Sequence, residues 1–183
     1  QGSGALRSDG NILFRSVIIE KNNTINGATI NVYGSDMHPK FKNVQVRNNF
    51  HNDGGSDLNV NSSIFTLENS LITNNRTNAE IITLYGDVVN IYNSVFSYNL
   101  DQDGLSSGNS IILYDWDAFL NVSNSILWNY GRQEIQNNTI QPNIQYSLIE
   151  DGCTDCGYTN IDVKPLFCDP YNGDFTLAQN SPC

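Results

Sequence analysis

Positive charge is scarce in this chain. Only nine of its 183 residues are Lys or Arg, against 19 Asp or Glu, giving a formal net charge of −10 and a pI near 4.3. The nine are scattered, so the basic footprint of a nucleic-acid binder is absent and an anionic membrane would repel the chain. Long apolar runs are missing too: none approaches the roughly 20 residues that a membrane-spanning helix needs. No stretch of a dozen residues keeps a 3.6-residue apolar period, so helix is disfavoured throughout. Cysteine is absent before Cys153, and no two aspartates are adjacent. No signal-peptide pattern opens the chain, and Gln1 reads either as a processed terminus or as an internal boundary.

Asparagine fills the space that charge leaves. It occupies 28 positions, roughly three times average usage. Asn and Gly close tight turns and tolerate left-handed backbone, so the composition is that of many short strands and many corners. With 39% apolar residues, each strand has enough to bury one face of a single domain.

An internal repeat sets the expected fold. Six segments share one pattern: Leu13-Phe14-Arg15-Ser16-Val17-Ile18, Phe41-Lys42-Asn43-Val44, Leu67-Glu68-Asn69-Ser70-Leu71-Ile72, Ile91-Tyr92-Asn93-Ser94-Val95-Phe96, Val122-Ser123-Asn124-Ser125-Ile126-Leu127 and Ile144-Gln145-Tyr146-Ser147-Leu148-Ile149. Aligned on Ser16, Asn43, Ser70, Ser94, Ser125 and Ser147, they recur every 22 to 31 residues, the length of one solenoid coil. The second segment fits less well and implies a slip near Phe41. Asn-rich corners follow the first five anchors, at Asn23, Asn49, Asn75, Asn99 and Asn129. Residues that recur once per coil stack about 4.8 Å apart, and asparagine suits such a stack because its amide bonds to the copies above and below. The expectation is an all-β, single-stranded right-handed parallel β-helix of about six coils, roughly 30 Å long. Residues 1–150 supply the coils and residues 151–183 a capping segment of the same domain.

The late coils Asn124-Ser125-Ile126-Leu127-Trp128-Asn129 and Ile144-Gln145-Tyr146-Ser147-Leu148-Ile149-Glu150 carry a resemblance. So does the tail, Asn160-Ile161-Asp162-Val163-Lys164-Pro165-Leu166-Phe167-Cys168-Asp169-Pro170 through Asn180-Ser181-Pro182-Cys183. The first resemble the late coils, and the tail the terminal segment, of bacterial secreted right-handed β-helix repeat proteins of the pectin-lyase-like superfamily. The resemblance implies a secreted or cell-surface location and an architecture rather than a reaction. Enzymes on this fold use calcium held by carboxylates with an arginine base, or an aspartate cluster with a histidine. Neither arrangement is recognisable here.

The remaining candidates are individual. Cys153, Cys156, Cys168 and Cys183 match a zinc ligand count, but their uneven spacing in an extracellular composition favours disulfides, with Cys153–Cys156 and Cys168–Cys183 the expected pairs. Asp101 and Asp103, beside Gly104, and the Asn52–Asp57 loop offer oxygen ligands for calcium, the one candidate cofactor, although no EF-hand pattern supports them. Tyr85 over Trp116, with Asp115 and Asp117 alongside, forms a candidate platform for polysaccharide. His38 and His51 fall in loops and are expected to be solvated. Arg47 and Arg76 lie near corners with no carboxylate cluster opposite. The expected role is an extracellular structural or interaction module, part of a larger surface protein or associating with itself head to tail. The alternative is a polysaccharide-binding or polysaccharide-degrading domain. Neither nucleic-acid binding nor membrane insertion is expected.

Overall fold

The structure, a computed structural model, describes residues 6–25, 27–34, 36–52, 54–104, 110–115, 117–136, 140–152 and 158–183. The first five rungs of the repeat each contribute to three parallel sheets, and the sixth to two of them. The first stacks Leu6–Asp9, Ile30–Gly34, Leu58–Ser62, Ile82–Tyr85 and Ile112–Tyr114. The second stacks Leu13–Arg15, Lys40–Lys42, Ile64–Glu68, Val88–Tyr92, Phe119–Ser123 and Asn143–Gln145. The third stacks Ile18–Glu20, Gln45–Arg47, Leu71–Thr73, Val95–Ser97, Ile126–Trp128 and Leu148–Ile149. With five strands in one sheet and six in the others, the chain completes about five turns of a parallel β-solenoid rather than six full coils.

Alternation along each short strand sends one residue in two to a shared interior. In the second sheet the inward column runs Phe14, Phe41, Leu67, Ile91, Val122, Ile144, and in the third Ile19, Val46, Ile72, Phe96, Leu127, Ile149. Phe14, Phe41 and Phe65 meet edge to face, with centroids 4.6 and 5.4 Å apart. Because Phe14 pairs with Phe41 and Phe41 with Leu67, the true counterparts of Ser70 in the first two rungs are Val17 and Val44. The anchors Ser16 and Asn43 were one residue early, and the slip inferred at Phe41 is not present.

Two corners per turn use left-handed backbone. Between the second and third sheets lie Ser16, Asn43, Asn69, Asn93, Asn124 and Tyr146, with φ between 49° and 56°. After the third sheet come Lys21, Asn48, Asn74, Tyr98, Tyr130 and Asp151, with φ between 54° and 61°. Asn and Asp reach this conformation at low cost, whereas Ser, Lys and Tyr are held there by the packing of the rungs.

The tail departs from expectation. Ile161 bridges Leu148 and extends the stack by a partial rung. The chain then forms an antiparallel hairpin, Phe167–Asp169 with Asp174–Leu177, turned by a 3-10 segment Pro170–Asn172 and a left-handed Gly173. The hairpin lies against the outer side of the third sheet, where Thr73, Ser97 and Trp128 are buried although they point away from the core. Cys168 and Cys183 are exposed free thiols, so the expected bridge between them is not formed. Contacts between Phe167 and Phe175 (5.2 Å), and hydrogen bonds from Ala178 N to Leu166 O and Ser181 Oγ to Pro165 O, hold the segment instead. Cys153 and Cys156 lie outside the described residues.

Candidate functional site

Polar residues reach the interior of this solenoid in columns. At the corner after the third sheet the backbone and side-chain amides of Asn22 both donate to Asn49 Oδ1, at 3.1 and 2.9 Å. The same double bond repeats from Asn49 to Asn75, Asn75 to Asn99, and Asn99 to Asn129. The side-chain amides of Asn49, Asn75, Asn99 and Asn129 also donate to the carbonyls of Ile19, Val46, Ile72 and Phe96. The column begins at Asn22; Asn23 is exposed and instead accepts from Asn52. These asparagines do not adopt the left-handed conformation themselves. Lys21, Asn48, Asn74 and Tyr98 do so one residue earlier, freeing the ladder asparagine to turn its amide inward.

A second column runs down the other corner. Ser70 N donates to Ser94 Oγ, Ser94 N to Ser125 Oγ, Ser125 N to Ser147 Oγ, and Ser147 N to Asn160 Oδ1.

The asparagine ladder stops on carboxylates. Asn129 N donates to Glu134 Oε1 (2.7 Å) and Glu150 Oε2 (2.8 Å), and its side chain to Glu134 Oε2 (2.7 Å). Burial pushes the Glu134 carboxyl well above its ordinary value, against the pull of the Asn129 amides. Arg132 is buried beside it and donates to the carbonyls of Leu100 and Ala79. Burial lowers this guanidinium to about 10, opposed by Glu80, Asp101, Glu134 and Asp57, so it stays cationic at neutral pH.

His51, expected in solvent, is fully buried. Its Nδ1 lies 2.6 Å from Thr24 Oγ1, and its Nε2 lies 3.2 Å from Asp57 Oδ1 and 3.3 Å from Thr29 Oγ1. Burial raises the Asp57 carboxyl, while bonding to His51 draws it back. Gly55 closes this pocket: a side chain there would collide with the Gly27 carbonyl. No sequence signal marked the pocket, because it depends on the two-residue strand Phe50–His51 pairing with Asn23–Thr24, which sets His51 opposite Thr24. His38 is exposed, as expected.

The two loops that carry the calcium candidates meet where Gln102 donates to the carbonyls of His51 and Asn52. Asp101 is buried and faces Arg132, whereas Asp103 is exposed. Among the described residues no group of three or more His, Cys, Asp or Glu is placed to hold a metal. Tyr85 is 45% exposed on the first sheet, and the pairing of Leu84 with Tyr114 puts it at the level of Asp115. Asp115 and Asp117 are exposed; Trp116 lies outside the described residues.

A cleft absent from the sequence reading lies where the hairpin overhangs the third sheet. It holds about 370 Å³ between Tyr171 and Phe175 on one wall and Gln45, Arg47, Asn48 and Asn74 on the other. Arg47 is paired there with Glu20 at 2.8 Å. A ring wall facing amides and an ion pair can stack on a flat ligand while satisfying its hydroxyls. No family model, curated protein or solved structure matches the chain.

Proposed function

We propose that this solenoid is a structural and interaction module of a secreted or cell-surface protein, and that it associates with itself head to tail. The observation that carries the reading is the contrast between its two ends. Among the described residues, the first-rung strands Leu6–Asp9, Leu13–Arg15 and Ile18–Glu20 each pair on one side only, whereas past the last rung Ile161 bridges Leu148. The inward residues Phe14 and Ile19 there are 8% and 9% exposed, while their counterparts Ile144 and Ile149 in the last rung are 0% and 3% exposed. An unpaired strand edge is a template for another chain. Charge is divided along the same axis. Residues 1–79 hold seven Lys and Arg and six Asp and Glu, a net of +1, whereas the later coils, residues 80–152, hold one and nine, a net of −8. Unlike ends attract, and a heterologous contact that does not close propagates. Light scattering across protein concentration tests the reading. Association at low salt that fades as salt screens the ends supports it; a monomer at every concentration in low salt removes it.

The cleft favours a second reading, saccharide binding between Tyr171 and the Arg47–Glu20 pair. A glycan panel probed with the intact chain and with Tyr171→Ala decides it. Binding that the substitution abolishes supports this reading, and no binding to any glycan ends it.

A further inference from the structure

We propose that Tyr98, Tyr130 and Tyr171 form an oxidative coupling site, at which hydrogen peroxide and a haem peroxidase join Tyr98 to Tyr130 through a carbon–carbon bond. The site is built by the corner after the third sheet. Three of its earlier positions are Lys21, Asn48 and Asn74, but the next two rungs place tyrosine there, both left-handed. Stacked rungs bring the two rings to 4.4 Å between centroids at a 54° tilt. The Tyr130 hydroxyl donates to the Tyr98 hydroxyl at 2.8 Å. A bond between the two phenol oxygens sets the ring carbons that flank them side by side, and those carbons carry the unpaired spin of a phenoxyl radical.

Tyr171, at the hairpin turn, completes the path. Its ring packs edge-on against Tyr98 at 5.1 Å and is 82% exposed, whereas Tyr98 is 8% and Tyr130 40% exposed. An oxidant therefore meets Tyr171 and Tyr130 first, and Tyr98 is reached through them. Burial and the neighbouring hydroxyls raise the Tyr98 phenol, so it is oxidised as a neutral phenol that gives up its proton with the electron. Each of Tyr98 and Tyr130 loses one hydrogen atom. The two phenoxyls couple at ortho carbons, each coupled carbon sheds its proton back to the ring oxygen, and the peroxide is reduced to two waters. The product staples two successive rungs beneath a hairpin that no Cys168–Cys183 bridge secures.

Packing of the hairpin alone would need the rings and not the hydroxyls, and this separates the proposal from a merely structural cluster. The test treats the dilute protein with peroxidase and hydrogen peroxide. The expected result is blue dityrosine fluorescence in the monomer. Cleavage before Asp101, Asp103, Asp115 and Asp117, all between the two tyrosines, should leave their fragments joined, with a mass lower by two hydrogens. Tyr130→Phe should abolish the product while leaving circular dichroism unchanged, and Tyr171→Phe should slow its formation several-fold. Coupling confined to intermolecular dimers through Tyr146 or Tyr158, which are 65% and 108% exposed, or no coupling at all, would overturn the proposal.

Discussion

The corner that carries Asn22, Asn49, Asn75, Asn99 and Asn129 and the hairpin of residues 167–177 lie side by side and are stabilised by opposite means. The ladder asparagines from Asn49 onward are buried, and each side-chain amide bonds both to the next rung and to a carbonyl of the rung before. The hairpin is mostly exposed and rests on a few rings, Tyr171 and Phe175 against Tyr98. A buried polar column is cooperative, since removing one member leaves groups on both neighbours without partners. A surface hairpin fails locally. Rigidity in this molecule therefore resides in amides, and adaptability in the aromatic edge that roofs the cleft.

The comparison breaks most clearly at Asn75. Its replacement by Ala removes the acceptor of the Asn49 backbone amide, leaves the Asn49 side-chain amide with Ile19 O alone and takes a donor from the Val46 carbonyl, each buried unmatched group costing about 1–3 kcal/mol. A loss of about 3 kcal/mol or more in urea unfolding is expected, and a loss under about 1 kcal/mol would mean that the ladder is ornamental.

The end of the ladder sharpens the comparison through pH. Glu134 has a folded value above its ordinary 4.5, so the fold favours its protonated form. Its contribution is present below 4.5 and is lost as pH rises from there toward the raised value. Stability should decline with rising pH over that window, and Glu134→Gln should flatten the decline in pH-dependent thermal unfolding. Glu68, held down to about 2 by Lys40 and Lys42, works in the other direction and in another window. Its contribution is present above 4.5 and is lost as pH falls toward 2.

Much of this was legible in the sequence. Apolar residues spaced by two, repeated at coil length, specify parallel stacking, and Ser70, Ser94, Ser125 and Ser147 fall in one column. Errors of one residue arose where Val17 and Val44 replace serine and so hide the column, and where two asparagines are adjacent, so that Asn22 and Asn23 look alike. The His51 pocket and the cleft were not legible, because each joins segments whose approach depends on where a loop or hairpin lies on a finished surface. The Cys168–Cys183 bridge failed for a related reason: Cys168 lies on the hairpin, whereas Cys183 lies beyond it beside Tyr146, Leu148 and Leu177.

On the hairpin side the effects are smaller. Tyr171→Ala should release residues 167–177 by about 1 kcal/mol, seen as faster hydrogen exchange there with the global unfolding midpoint unmoved. A fall in the global midpoint would show that the hairpin supports the solenoid. The smallest effect belongs to Cys168→Ser. Its thiol is free and exposed, so the unfolding midpoint should stay within about 0.5 kcal/mol of the parent, with or without reductant.

Proton NMR of the side-chain amides tests the stacked ladder most directly. Through-space contacts should link Asn22, Asn49, Asn75, Asn99 and Asn129 in that order, with the side-chain amides from Asn49 onward exchanging far more slowly than that of the exposed Asn172. Amides that exchange alike, or contacts that skip the order, would contradict the stack of rungs on which the rest is built.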